Sequence, residues 1–196
     1  MGDVLMKRRS SGLDFVSLRA GLYADAFPLF LNWYPSTKAI LLPEITPPVT
    51  ESKIAFASRD ELGEAMATLL ARGLQDFPSI KPQTDKNIIL LTGPKAESLV
   101  DLVGAINRGR KTDIAVEYLQ PREWIETCAK HDEGGKGQGW FEARLVFTQG
   151  VCNGDAELVD PALMTLLGRR PESGTESVER LVRENRDYTW HQNHAR

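Results

Sequence analysis

Tyr34 and Lys38 are four positions apart, a spacing at which a tyrosine and a lysine can act as an acid–base pair. On a helix the two side chains would share one face, where the lysine cation lowers the pKa of the phenol and prepares it to donate a proton. Pro35 instead favours an extended backbone at Tyr34, and the segment leads directly into a strand candidate. The residues therefore favour a loop, and catalysis by Tyr34 and Lys38 is the alternative.

A second group of candidates lies at the end of an apolar segment, residues 13–22, which we predict to be a buried strand. Arg19, Gly21, Leu22 and Tyr23 occupy its carboxyl end. Open α/β sheets bind ligands at that end of their strands, so Tyr23 is a candidate for both catalysis and substrate contact. The alternative is an ordinary strand exit in which Tyr23 packs against the core.

Aromatic side chains follow this segment closely. Phe27, Phe30, Trp33 and Tyr34 form a cluster in the sequence that would suit a flat substrate such as a quinone. Aromatic residues are also the usual material of protein cores. A substrate pocket formed by these residues is one interpretation, and core packing is the other.

Two turns contain glycines that could in principle cradle a phosphate. The first, Gly135–Gly139, follows a predicted helix, whereas a phosphate site needs a strand, a glycine turn and a helix in that order. The second, Thr92–Pro94, follows a predicted strand but has a single glycine, and Pro94 lacks the backbone donor that a phosphate would use. We interpret both as structural turns.

The histidines give no clear metal pattern. His191 and His194 have a spacing that could hold a metal ion, but they lie at the chain terminus, and His131 is distant in the sequence. No acidic or thiol third ligand is near them in the sequence. The sequence therefore predicts no metal site.

The elements that must position these residues alternate between strands and helices. A helix is expected after Ser58, because Ser58 and Glu61 match a capping box, and it should end at Gly73. Pro121 can occupy the first turn of another helix. Further strands are predicted at 39–42, 53–57, 87–93 and 115–119, with a helix after the third of them and two terminal helices that begin near residues 160 and 173. This order indicates an α/β fold.

Composition limits the classes of function. The chain has 196 residues, of which 41% are hydrophobic and 26% charged, and its net charge is −3, so neither disorder nor nucleic-acid binding is expected. No apolar stretch approaches the roughly 20 residues of a membrane span. The two cysteines, Cys128 and Cys152, are expected to be free thiols, and we predict a cytoplasmic protein that does not bind a membrane.

Three blocks of sequence, in order, resemble the NmrA-like family of atypical short-chain dehydrogenases/reductases. Residues 11–29 contain a Ser-Gly-Leu strand that ends in Leu-Arg-x-Gly, residues 58–65 match a family helix, and residues 88–94 match a strand and turn. The helix through Ile106, Val116–Leu119 and Trp124 extend the third block. The sequence is also similar to type 2 NAD(P)H:quinone oxidoreductases.

The resemblance implies a partial Rossmann-like, doubly wound parallel sheet that lacks its N-terminal nucleotide-binding half, together with a small helical substrate-side region. We expect residues 1–130 to hold the remaining sheet and crossover helices, and residues 131–196 the helical part. In such a protein Arg19, Gly21 and Leu22 would face the cofactor, while Tyr23, Phe27, Phe30 and Trp33 would contact the substrate.

The activity that the resemblance implies is NAD(P)H-dependent reduction of a quinone or conjugated carbonyl. The cofactor would be NADPH or NADH, although a chain without the phosphate-binding half is expected to bind neither by itself. A non-catalytic regulatory or interaction protein is the alternative, and a cofactor-free isomerase or cyclase is a third possibility. An open sheet edge would call for a partner chain or an oligomer to cover it.

Overall fold

The computed structural model describes residues 15–82 and 87–190. In these ranges strands and helices alternate through most of the chain, and helices alone make up its last part. The elements are β1 (Ser17–Ala20), α1 (Phe27–Leu31), β2 (Ala39–Pro43), α2 (Arg59–Arg72), β3 (Ile88–Leu91), α3 (Leu99–Arg110), β4 (Ala115–Leu119), α4 (Pro121–His131), α5 (Gln138–Cys152), α6 (Ala162–Leu167) and α7 (Gly174–Glu184).

The strands pair in parallel across long sequence separations. β1 pairs with β3 so that Ser17 lies opposite Ile88, and β2 pairs with β4 so that Ala39 lies opposite Ala115. Parallel strands need helical crossovers between them, which α2 and α3 provide within the chain. The α/β fold with parallel sheets that the sequence predicts is therefore confirmed.

The strand predicted at residues 53–57 was wrong. This segment forms only single bridges, antiparallel from Ile54 to Glu97 and parallel from Ala57 to Tyr23. Its backbone groups bond to several different neighbours, since Ala55 donates to the carbonyl of Ala156 while Ala57 donates to that of Leu22. A segment that changes partner at nearly every residue cannot continue a regular ladder.

The start of α2 follows the sequence prediction, but its cap does not. Ser58 occupies the N-cap position without a side-chain hydrogen bond to the helix. The carboxylate of Asp25 instead accepts a hydrogen bond from the Arg59 amide at 2.9 Å. Glu61 bonds to Arg169 and to the amide of Glu172, so the predicted capping box does not form. The helix ends at Gly73, which has a φ of +80°, as predicted.

The C-terminal helices pack onto the strands and onto α3. Ser173 and Glu176 form a capping box at the start of α7, where a helix is predicted. α7 lies so close to α3 that a Cβ at Gly109 would be 2.6 Å from the carbonyl oxygen of Glu179. Among the described residues, no helix has the length and apolar character needed to cross a membrane.

Candidate functional site

A pocket of about 440 Å³ lies where β1 and β3 end, beneath the second half of α5. We call it the acceptor-side pocket. The strand ends contribute its floor and α5 contributes one wall; lining residues include Gly21, Leu22, Ala55, Thr92, Val146 and Phe147. The carboxyl ends of parallel strands are where α/β sheets bind ligands, and a pocket of this size can hold a small organic molecule.

Gly21 allows the floor of this pocket to be closely packed. Its amide donates a hydrogen bond to the carbonyl of Leu91 at 2.7 Å. A Cβ at this position would lie 3.1 Å from the Leu91 oxygen and 3.2 Å from the Ala55 oxygen. A larger residue would therefore push β1 away from its neighbours and change the shape of the pocket.

The pocket is mainly apolar. Its wall from α5 carries Val146 and Phe147, which are 74% and 37% exposed. The hydroxyl of Thr92 accepts a hydrogen bond from the amide of Asp160 at 2.8 Å and so serves the local structure. Asp155 adds a carboxylate to the rim. Such a surface would bind a flat apolar molecule better than a highly charged one.

The structure separates the residues that the sequence places at the end of β1. Gly21 and Leu22 line the pocket. Arg19 is exposed on β1, and Tyr23 forms the bridge to Ala57; neither is among the lining residues. Of this group, the structure places two residues at the pocket and two outside it.

The predicted aromatic group is divided in the same way. Phe27 and Trp33 have no exposed surface, and their ring centroids are 5.2 Å apart, so the structure favours core packing for both. Phe30 is also buried, but its ring stacks on Phe147 at 5.8 Å. Phe30 therefore supports a side chain that lines the pocket. Phe147 was missed because the sequence analysis did not single out α5.

Tyr34 and Lys38 do not form an acid–base pair on a helix. α1 ends at Leu31, and the backbone amide of Tyr34 bonds to the hydroxyl of Thr37 in the loop that follows. Lys38 is exposed. These positions favour the loop interpretation.

Tyr34 instead belongs to a buried group with Asp132 and Lys136, which we call the tyrosine cluster. The Tyr34 hydroxyl donates to Asp132 Oδ1 at 2.7 Å and accepts from Lys136 Nζ at 2.5 Å and from the amide of Gly134 at 3.0 Å. Lys136 also pairs with Asp132 at 2.9 Å, and both side chains are almost completely buried. Lys136, from the glycine turn, is thus the lysine that contacts Tyr34, whereas the sequence predicts Lys38 as its candidate partner.

The electrostatics of the tyrosine cluster oppose proton transfer from the phenol. Burial, followed by the hydrogen bond to Asp132, raises the pKa of Tyr34 well above its usual value. Burial alone would raise the pKa of Asp132, but hydrogen bonds from Lys136 and Tyr34 outweigh it and keep that pKa low. At neutral pH the phenol is therefore protonated and held between charged neighbours.

Neither glycine turn forms a phosphate site. A Cβ at Gly93 would lie 1.7 Å from the carbonyl oxygen of Phe56, so this glycine allows two backbone segments to touch. Gly135–Gly139 begins in the turn after α4 and ends in the first turn of α5, so it follows a helix and not a strand. Neither of these two turns therefore offers the open, glycine-rich strand–turn–helix that holds the pyrophosphate of a dinucleotide.

No group of three or more His, Cys, Asp or Glu side chains suited to a metal ion occurs in residues 15–82 and 87–190. His131 is at the end of α4. His191 and His194 lie outside the described residues. The structure thus provides no metal-based interpretation of the acceptor-side pocket.

Parallel strands and crossover helices define a Rossmann-like α/β architecture, which here has a pocket at the strand ends. Over 188 residues the chain is 34% identical to the NmrA-like family domain-containing oxidoreductase flvB of Aspergillus flavus. The match covers 96% of this chain and 56% of that protein, so the chain spans little more than half of its relative's length. The chain is thus homologous to an NmrA-like oxidoreductase, which confirms the resemblance. No protein-family model matches the chain.

Solved structures share the fold at low sequence identity. Triphenylmethane reductase from Citrobacter sp. aligns with a TM-score of 0.66 and 16% identity, covering 90% of this chain and 55% of that one. An NADPH-dependent quinone oxidoreductase from Escherichia coli aligns with a TM-score of 0.62 and 15% identity, covering 91% and 59%. Both confirm the Rossmann-like fold, and both are matched over little more than half their length.

Proposed function

We propose that this chain forms the acceptor-binding side of an NAD(P)H-dependent oxidoreductase, and that the acceptor is a quinone or another flat conjugated carbonyl compound. The observation that carries this proposal is the acceptor-side pocket, which is apolar, lies at the carboxyl ends of β1 and β3, and has the aromatic ring of Phe147 in its wall. Apolar pockets with an aromatic wall favour flat, weakly polar ligands.

The comparisons support the same class of acceptor. The homologue from Aspergillus flavus is named an oxidoreductase. Two of the proteins that share the fold are named for the reduction of quinones and of triphenylmethane dyes. Quinones and these dyes are conjugated molecules of the kind that the acceptor-side pocket would accommodate.

The cofactor is proposed from the comparisons and not from the geometry of the chain. Structural neighbours are NADPH-dependent or were solved with NADP(H). Neither glycine turn considered above fits a dinucleotide pyrophosphate, however, because Gly93 follows β3 but packs against the Phe56 carbonyl, and Gly135 follows a helix. We therefore expect the 196-residue chain by itself to bind NADPH or NADH weakly, with a Kd no tighter than about millimolar.

Exposed apolar side chains at the rim favour a second candidate, a non-catalytic interaction protein. Val146 is 74% exposed and Leu158 is 60% exposed, and both line the acceptor-side pocket. Apolar surface of this kind is typical of sites that bind another protein or a ligand. In either role we expect a cytoplasmic location, because Cys128 and Cys152 are free thiols.

A pair of tryptophan substitutions tests the pocket. Val146→Trp would fill the acceptor-side pocket, whereas Leu70→Trp adds the same ring to an exposed position on α2, where Leu70 is 85% exposed and lines no pocket described above. Calorimetric titration with menadione, a small quinone, should show saturable binding to the unmodified chain and to Leu70→Trp. Val146→Trp should bind roughly tenfold more weakly or not at all.

The titration with menadione tests the proposal that the chain binds an acceptor. If the unmodified chain does not bind menadione, or if Val146→Trp and Leu70→Trp bind it equally, the acceptor-binding proposal is wrong. Micromolar binding of NADPH in a parallel titration would contradict the expectation that these residues lack a dinucleotide site.

A further inference from the structure

Arg144, in the middle of α5, is a buried charged residue outside the tyrosine cluster. Arg144 is only 8% exposed. Arginine is almost never buried to this degree without a charged partner. None of the ion pairs found among the described residues includes Arg144, so its charge is not compensated by a protein carboxylate there.

The hydrogen bonds of Arg144 are incomplete. Nη1 donates to the carbonyl oxygen of Leu29. Nε is buried and has no acceptor among the described residues. An unsatisfied donor on a buried charged group costs free energy that the protein recovers only if something else bonds to it. We therefore infer that the hydrogen-bond acceptor of Nε belongs to a bound molecule and not to the described residues.

Two aromatic rings flank the guanidinium. Its central carbon lies 5.6 Å from the ring centroid of Phe30 and 5.7 Å from that of Phe147. Cation–π contacts partly stabilise the charge but do not accept the hydrogen bond of Nε. Burial lowers the pKa of Arg144 to about 9, which leaves the group positively charged at neutral pH.

The side chain borders a cleft of about 240 Å³, which we call the arginine cleft. Its walls are Leu29, Phe30, Trp140, Ala143, Arg144 and Phe147. Phe147 also lines the acceptor-side pocket, so the two cavities share this side chain. The arginine cleft thus combines apolar and aromatic walls with one positive charge, and the buried Nε–H of that charged group has no acceptor among the described residues.

We propose that the arginine cleft binds the carboxylate of an aromatic acid. One carboxylate oxygen accepts the hydrogen bond from Nε of Arg144, and the arene packs against Trp140 and Phe147. Because Nε is buried, binding requires the ring of Phe147, which is 37% exposed, to shift and admit the carboxylate. Guanidinium groups bind planar carboxylates more strongly than neutral amides, because the hydrogen bonds are charge-assisted.

The shared residue Phe147 connects this site to the acceptor. An aromatic molecule with a carboxylate at one end and a conjugated carbonyl at the other could occupy both cavities. This link to the acceptor rests on the proposed function, whereas carboxylate binding in the arginine cleft does not.

A matched pair of ligands tests the charge preference in the unmodified chain. 2-Naphthoate and 2-naphthamide have nearly the same shape, but only the first carries a negative charge at pH 7. Calorimetric titration should show that naphthoate binds roughly ten times more tightly than naphthamide, the gain expected from one charge-assisted hydrogen bond. Equal affinity for the two, or no binding of either, would overturn the proposal.

A matched pair of variants tests the residue. Arg144→Met keeps the length and apolar stem of the side chain but removes the charge, and should abolish the preference for naphthoate. Arg122→Met is the control, since the Arg122 side chain on α4 is 92% exposed and pairs only with Glu126 among the described residues. A naphthoate preference that survives in folded Arg144→Met would assign the anion to another site. If that variant fails to fold, the ligand comparison in the unmodified chain still decides.

This experiment is independent of the menadione titration. Naphthoate can bind the arginine cleft even if menadione fails to bind the acceptor-side pocket. That result would contradict the proposed function and leave the proposal for the arginine cleft standing. Menadione binding without a preference for naphthoate would support the proposed function and contradict carboxylate binding in the arginine cleft.

Discussion

The tyrosine cluster and the acceptor-side pocket contain opposite kinds of residues. The cluster brings together a phenol, a carboxylate and an ammonium group within hydrogen-bond distance, which are the groups expected of proton-transfer chemistry. The pocket offers mainly apolar side chains and one carboxylate at its rim. Yet the cluster is buried with its three groups bonded to one another, while the pocket is open.

The groups suited to proton transfer are thus bonded to one another, and the cavity that Tyr34 lines with Lys38 and Cys128 is only about 160 Å³. Tyr34 bonds to Asp132, Lys136 and Gly134, and these bonds join the loop before β2 to the turn between α4 and α5. The cluster therefore acts as a structural connection. The acceptor-side pocket carries few reactive groups, so its contribution is to bind and orient a ligand.

The largest expected effect comes from breaking the tyrosine cluster. Asp132→Ala removes the carboxylate that pairs with a buried ammonium group, and we expect a loss of about 3–5 kcal/mol in the free energy of unfolding. Urea denaturation followed by circular dichroism measures this loss. The control Arg122→Ala breaks an exposed pair with Glu126 and should cost no more than about 0.5 kcal/mol. Equal losses would show that the cluster is not a structural connection.

Two phenylalanines on α5 allow a core position to be compared with a position in the pocket. Phe141 is fully buried against Trp124, whereas Phe147 is 37% exposed and lines the pocket. Phe147→Ala should weaken menadione binding roughly tenfold while costing less stability than Phe141→Ala, which should lose about 3–5 kcal/mol. Calorimetry and denaturation of both variants check this. If Phe147→Ala binds menadione with unchanged affinity, the Phe147 ring does not contribute to the binding site.

A smaller effect is expected at the cap of α2, next to the strand exit that forms the pocket. Asp25→Ala removes the acceptor of the Arg59 amide and should cost about 1 kcal/mol. Ser58→Ala should cost less, because the Ser58 side chain makes no cap hydrogen bond. Thermal melts of the two variants compare them directly. The opposite ranking would favour the capping box that the sequence indicates.

The smallest expected effect is a change in the acid dependence of stability. The folded-state pKa of Asp132 is below its unfolded value of about 4, so this carboxylate stabilises the fold fully above that pH. The contribution is lost as the pH falls through the lower folded-state pKa. Asp132→Asn should therefore lose less stability than the unmodified chain between about pH 5 and pH 2. Parallel slopes in urea denaturation across this range would contradict the assignment.

The sequence predicts much of this fold because local signals and tertiary contacts agree. β2, β4 and the start of α7 carry clear strand or capping patterns and form where they are predicted. The segment 53–57 fails because its apolar residues predict a strand, whereas tertiary contacts divide its backbone bonds among several neighbours. Local patterns cannot reveal which neighbours compete for a short segment.

The candidate site is predictable only in part. Gly21 and Leu22 are found because they end a predicted strand. Lys136 could have been noticed as the partner of Asp132 four positions earlier, but its contact with Tyr34 spans 102 positions in the sequence. Val146 and Phe147 carry no motif, and only the tertiary structure shows that they line the same pocket as the ends of β1 and β3.

The central claim is that the acceptor-side pocket, and not the tyrosine cluster, is where this chain binds its ligand. Titration of the ¹⁵N-labelled chain with menadione, followed by amide chemical shifts, tests it most directly. The account predicts saturable shifts that are largest at Gly21, Leu22 and Gly150, all of which line the pocket, with little change at Gly134 and Lys136. Shifts centred on Gly134 and Lys136, or no saturable shift anywhere, would contradict it.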